Sequence, residues 1–145
     1  MYKILLLVLF YCGGLLAGIT LTKIDLPIVF RQDLCSVIKS TQRASGLSKV
    51  SEKLFSGKLN DSVHYINNTA IQIRELTLEA FNIAVEANLV SLSTENAAVF
   101  PLTTTIRKYT PKGDCKSMLA AAEKLGIWCS GLTLLEVSKW LKVRF

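Results

Sequence analysis

Residues 62–92, SVHYINNTAIQIRELTLEAFNIAVEANLVSL, contain neither proline nor glycine, and their reading decides the fold. Asn68, Gln72, Glu75, Glu79, Asn82 and Glu86 step by three or four residues, so they fall on one narrow stripe of a helix. Nearly everything off that stripe is apolar. Ile66, Ala70, Ile73, Thr77, Ala80, Ala84 and Ala87 form one face, and Ile71, Leu78, Phe81, Val85 and Leu92 fill the flanks. A helix with so little polar edge requires cover from other helices over most of its circumference. At about 1.5 Å per residue it would be about 45 Å long. The expected fold is therefore all-α, a bundle of about five helices around one long central helix at about residues 62–92.

The flanking sequence supplies the other helices. Leu26–Phe30 reads as an extended apolar lead-in around Pro27. A helix from about Arg31 to Ala44 would bury Leu34, Val37, Ile38 and Thr41 and end at Gly46. A shorter helix runs from Ser48 to Gly57, and Asn60 or Asp61 caps the long one. Past Leu92, the stretch Ser93–Phe100 either bends the long helix or begins a short one that Pro101 stops, and Leu102–Tyr109 reads as an extended crossing segment. Cys115–Leu125 reads as a helix ended by Gly126. Thr133-Leu134-Leu135-Glu136 is a capping box with Leu132 and Val137 as its hydrophobic staple. The helix it opens would turn Leu135, Leu141 and Trp140 inward and place Lys139, Lys142 and Arg144 at its C-terminal end.

At the N-terminus, Lys3 precedes nineteen uncharged residues, Ile4–Thr22, and Lys23 follows them. A cleaved signal peptide over residues 1–22 fits, with Leu16-Ala17-Gly18 offering a small residue for cleavage. An uncleaved anchor also fits, because nineteen residues at about 1.5 Å each just cross a hydrocarbon core about 30 Å thick. Cleavage is the leading reading, since Gly13, Gly14 and Gly18 weaken a continuous helix. In both cases Lys3 stays on the cytoplasmic side and residues 23–145, a single helical domain, are exported. The localisation expected is secreted, extracellular or periplasmic, or else that of a single-pass membrane protein with an exported C-terminal domain.

The chain carries a formal charge of +6 and a pI near 9.3 in 145 residues. Its cations are not gathered into a polyanion site. Residues 23–59 hold seven bases against three acids, residues 60–105 one base against five acids, and residues 106–145 eight bases against three acids. An acidic middle between basic ends speaks for complementary packing, and nucleic acid is not an expected partner.

With the signal removed, Cys35, Cys115 and Cys129 remain, an odd number for an exported chain. A disulfide could join Cys115 to Cys129 only if residues 126–129 doubled back along the preceding helix, because the bonded Cα atoms must lie within about 7 Å. Pairing Cys35 with either of the others would close a loop long enough to contribute about 4 kcal/mol. No CxxC, HxxxH, HExxH, GxSxG or phosphate-binding glycine loop is present, so no metal, cofactor or catalytic set is expected. His64 reads as a first-turn polar residue, and Glu75, Glu79 and Glu86 as a solvated stripe.

These readings converge on a small, exported, non-enzymatic helical protein that binds another protein, as an inhibitor, immunity factor or surface adaptor. The residues expected to touch that partner are Lys139, Trp140 and Lys142, since Trp is enriched at interface hot spots. Two alternatives remain. One is a carrier of a hydrophobic small molecule or lipid beside Ala70, Ala80, Ala84 and Ala87. The other is an accessory subunit of a larger complex, tethered to the membrane through residues 4–22.

Overall fold

The computed structural model describes residues 27–56, 61–95, 98–102 and 112–143. The Ile4–Thr22 segment and the Thr103–Tyr109 stretch lie outside these. Among the described residues no helix is long and apolar enough to cross a membrane. In chain order the elements are α1 (Gln32–Ser40), a 3-10 turn (Arg43–Ser45), α2 (Gly46–Phe55), α3 (Ser62–Gln72), α4 (Arg74–Glu86), β1 (Val90–Ser93), β2 (Ala98–Pro101), α5 (Asp114–Ser130) and α6 (Leu134–Leu141). The all-α expectation holds. The one addition is a small antiparallel hairpin, with Val90 opposite Pro101 and Ser93 opposite Ala98.

Residues 27–30 are helical, where an extended lead-in was expected. Ile28 and Val29 are buried there, and core burial outweighs the local preference set by Pro27. α1 stops at Ser40, four residues before the expected end. The Ser40 and Thr41 hydroxyls both turn back onto the Val37 carbonyl, at 3.0 and 2.8 Å, which competes with continuing the helix. The carbonyls left open are then taken up by Lys124 of α5, whose Nζ lies 2.7 Å from Lys39 O, 2.9 Å from Thr41 O and 3.5 Å from Ile38 O. Gly46, at φ 70°, takes the left-handed backbone between the 3-10 turn and α2, which a larger residue would strain.

The long helix is real but shorter than expected, and it has a hitch. Ile73 interrupts it between α3 and α4, yet Ile73 N–H donates to Thr69 O and Thr77 N–H to Ile73 O, both at 2.9 Å, so helical bonding crosses the break. The helix ends at Glu86 because Asn88 adopts φ 53°. Leu89 N–H bonds Ala84 O at 2.9 Å and Asn88 N–H bonds Val85 O at 3.0 Å, which together form a Schellman stop. The chain leaves abruptly into β1, so residues 90–93 are strand where helix was expected.

α5 corrects the expectation at its other end. It runs through Gly126 to Ser130, since Leu119, Ala122, Leu125, Gly126 and Cys129 keep one buried face and Trp128 is buried beside it. That burial outweighs the roughly 1 kcal/mol that a mid-helix glycine costs. Trp128 Nε1–H also donates to Arg43 O at 2.8 Å, fixing α5 to the 3-10 turn.

α6 starts with both bonds of the expected capping box. Glu136 N–H donates to Thr133 Oγ1 at 3.3 Å, and Thr133 N–H donates to Glu136 Oε2 at 2.7 Å. The inward face differs, however: Val137 and Leu141 are buried, whereas Leu135 is 80% exposed. Residues 135 and 141 stand six apart, about 120° around a helix, so they cannot share one face.

The core is shared. α5 packs along α1, and α2 lies against α1, α3, α5 and α6, around fully buried Leu34, Ile38, Val50, Leu54, Ile66, Leu125 and Leu141. Arg31 ties the start of α1 to the start of α3, paired with Asp33 at 2.8 Å and Asp61 at 3.3 Å and stacked 4.6 Å from the Tyr65 ring centre.

Candidate protein-binding groove

α2 and α6 pack on each other, and their buried residues are Leu47, Val50 and Leu54 on α2 and Val137 and Leu141 on α6. Their outer edges leave an open groove of about 560 Å³, lined by Ser48, Lys49, Ser51, Glu52, Lys53, Phe55, Ser56, Trp140 and Lys142. The helical phase explains the α2 wall: with Val50 and Leu54 inside, Ser48, Ser51, Glu52 and Phe55 fall on the flank that looks toward α6.

The far wall is held by backbone as much as by side chain. Ser51 Oγ donates to Trp140 O at 2.6 Å, which anchors the last turn of α6. Lys142 then adopts the left-handed backbone at φ 52°, reversing the chain so that Val143 is buried and Val143 N–H reaches Ser138 O at 3.2 Å. The same reversal sets the Lys142 ammonium 4.9 Å from the centre of the Phe55 ring, a cation–π contact.

Three lysines and one glutamate line the groove, so its electrostatic balance is positive. Lys49 is paired with Glu52 at 2.5 Å, and among the described residues Lys53 bonds a neutral oxygen, Thr41 Oγ1, at 3.2 Å. Phe55 and Trp140, half-buried and 37% exposed, supply apolar surface between the charges. Such a surface can hold a carboxylate-bearing, partly apolar segment. It contains no nucleophile–base pair and no ligand cluster, and no group of three or more metal-binding side chains occurs among the described residues.

Of the three partner-binding residues expected from sequence, the structure brings Trp140 and Lys142 together here. Lys139 is exposed on the same helix but does not line the groove. The α2 half, chiefly Phe55, Lys49 and Lys53, was not legible, because nothing local in the sequence pairs α2 with α6.

The remaining candidates disperse. Cys115 and Cys129 both lie on the unbroken α5, fourteen residues and about 21 Å apart, so they cannot be bonded to each other. None of Cys35, Cys115 and Cys129 is in a disulfide. Cys35 is buried with its thiol 3.8 Å from Ser117 O, and burial pushes its pKa up against the opposing pull of Lys39. His64, Glu75 and Glu86 are exposed, and among the described residues they join no metal-binding group. Ala80 and Ala84 are buried, Ala70 is half-buried and Ala87 is exposed, so the four alanines proposed to border a ligand do not share one environment.

A family model described as ABC-three component (ABC-3C) system Middle Component 3 matches residues 17–145. Neither the curated proteins nor the solved structures give a match.

Proposed function

The chain belongs to this Middle Component 3 family, and on that footing we propose that it is a non-enzymatic helical adaptor that holds another component of its system in the α2–α6 groove. The observation that carries the reading is the groove's make-up, two aromatic side chains among lysines with an excess of positive charge. The segment it takes is acidic, with an apolar side chain seated against Phe55 and Trp140. Long-range attraction between the lysines and such a segment speeds encounter, and the aromatic contact slows release.

The uncharged run Ile4–Thr22 supports placing this adaptor on the far side of a membrane, either released or held by its N-terminus. Protease added to the medium, or to cells whose outer envelope has been opened while the cytoplasmic membrane stays sealed, would then cut it, and protection under both conditions would refute export.

The interaction is tested by co-purifying the full chain with the other components of its own system and measuring affinity for the bound one. Trp140→Ala should weaken it by about thirtyfold, the effect of losing a hot spot worth about 2 kcal/mol. Lys142→Glu should weaken it further at low salt than at high salt. Unchanged affinity in both variants, with unchanged helical content, refutes the groove as the contact.

A further inference from the structure

Each lysine of the groove is held by a group of this chain before anything docks, and the holder decides what an arriving acid must displace. Lys142 lies over the Phe55 ring, and Lys53 donates to Thr41 Oγ1 at 3.2 Å. An ammonium carries three N–H donors, so both lysines can take a carboxylate without giving up these contacts. Lys49 differs. Its partner is the Glu52 carboxylate, at 2.5 Å, and Glu52 lines the same groove.

Glu52 has the same charge as the segment that the groove takes. It stands three residues after Lys49, next to Lys53 and three residues before Phe55 on α2. Lys49 and Lys53 are four residues apart and therefore neighbours on the helix surface, the natural place for a docked carboxylate. Glu52 opposes that carboxylate in two ways, by occupying Lys49 and by repelling a like charge. The Lys49 and Glu52 side chains are 55% and 67% exposed, so the pair can open without disturbing the core. A pair so exposed is weak, which makes it exchangeable.

We infer that Glu52 is a built-in competitor for the groove: it holds Lys49 in the free chain, and a carboxylate of the docked segment takes its place there. The inference rests on the reading of the groove as a site for an acidic segment, and it names the residue that tempers that preference. A segment with an apolar side chain alone gains nothing from Lys49, because the pair stays closed. A segment that also carries a carboxylate exchanges it for Glu52 on Lys49 and leaves Glu52 in water. The affinity is thereby held below what three unopposed lysines would give, and the contact stays reversible.

The test measures affinity, at low and at high salt, between the full chain and the component of its system that co-purifies with it. Glu52→Gln keeps the side-chain volume and a good helix former, and it should bind about fivefold tighter at low salt, from the lost repulsion and the freed Lys49 together. The gain should shrink at high salt. In a Lys49→Met background the same change should gain less by a factor of about two, since no pair remains to be opened. Unchanged or weaker binding by Glu52→Gln overturns the inference, and weaker binding would mean that Glu52 meets a base of the partner. An equal gain in both backgrounds overturns it too, because Glu52 would then repel without competing. Failure of the groove is read separately. If Trp140→Ala and Lys142→Glu leave the affinity unchanged, or nothing co-purifies, the groove falls and this inference with it. If both weaken binding while Glu52→Gln does not strengthen it, the groove stands and the exchange alone falls.

Discussion

Lys124→Met removes the α5 ammonium that closes the C-terminal end of α1 and keeps most of the aliphatic stem. Two carbonyl oxygens, Lys39 O at 2.7 Å and Thr41 O at 2.9 Å, lose a charged donor, and Ile38 O at 3.5 Å loses a weaker one. A hydrogen bond to a charged group is worth about 1.5–3 kcal/mol, and a cation at a helix C-terminus adds about 0.3–1 kcal/mol. Lys124 is only half-buried, so water replaces part of what is lost. The expected cost is about 2 kcal/mol. With an unfolding entropy of about 2.1 cal/mol/K per residue over the 102 described residues, that lowers Tm by about 9 °C. Urea unfolding followed at 222 nm should show a lower midpoint with an unchanged slope, since the surface exposed on unfolding stays the same. Lys116→Met, an exposed change on the same helix, is the reference and should shift stability by less than about 0.5 kcal/mol. Equal unfolding of the two variants would mean that Lys124 does not hold the end of α1.

Ser62→Ala should be neutral to stabilising by about 1 kcal/mol in the same urea assay, because the Ser62 hydroxyl is buried with no hydrogen-bond partner and alanine favours the helix; a loss of more than 1 kcal/mol would mean the hydroxyl is engaged. The bonds from Thr133 N–H and then the Thr133 hydroxyl hold the Glu136 carboxyl below its usual pKa. Its contribution is therefore complete above the unfolded value near 4.3 and is lost as pH falls through the lower folded value, so the stability gap between wild type and Glu136→Gln should close between pH 6 and pH 3. Native alkylation followed by peptide mapping should label Cys115 well before Cys35 and Cys129, which are buried; equal rates would show that α1 and α5 open readily. Lys142→Gly relieves a left-handed lysine and removes the contact over Phe55. Thermal stability should hold within about 1 kcal/mol while partner affinity falls, and parallel losses would mean that Lys142 is structural only.

What could be read in advance was whatever a single helix decides for itself. The capping box at Thr133 and Glu136 and the apolar face of α1 follow from neighbours three or four residues apart. Asn88 was readable too, as a residue suited to the left-handed stop, but an uninterrupted apolar pattern on both sides drew the helix six residues too far. Gly126 misled in the opposite sense, because its local cost is set against burial that only the packed fold reveals. In the groove, Trp140 and Lys142 stood out by type, whereas Phe55 and Lys53 gained meaning only once α2 met α6. The bare flank at Leu78 and Val85 was expected to be covered, and within this chain's described residues it is not.

The bond from Ser51 to Trp140 joins positions 89 residues apart in the chain. A ribosome delivers residue 51 long before residue 140, and closing so distant a contact is among the slower events of folding. The groove accordingly comes into being only when α6 has been made and has settled on α2. A nascent, nicked or misfolded copy would present only half of that groove, so a partner docking there would select for chains that have finished folding.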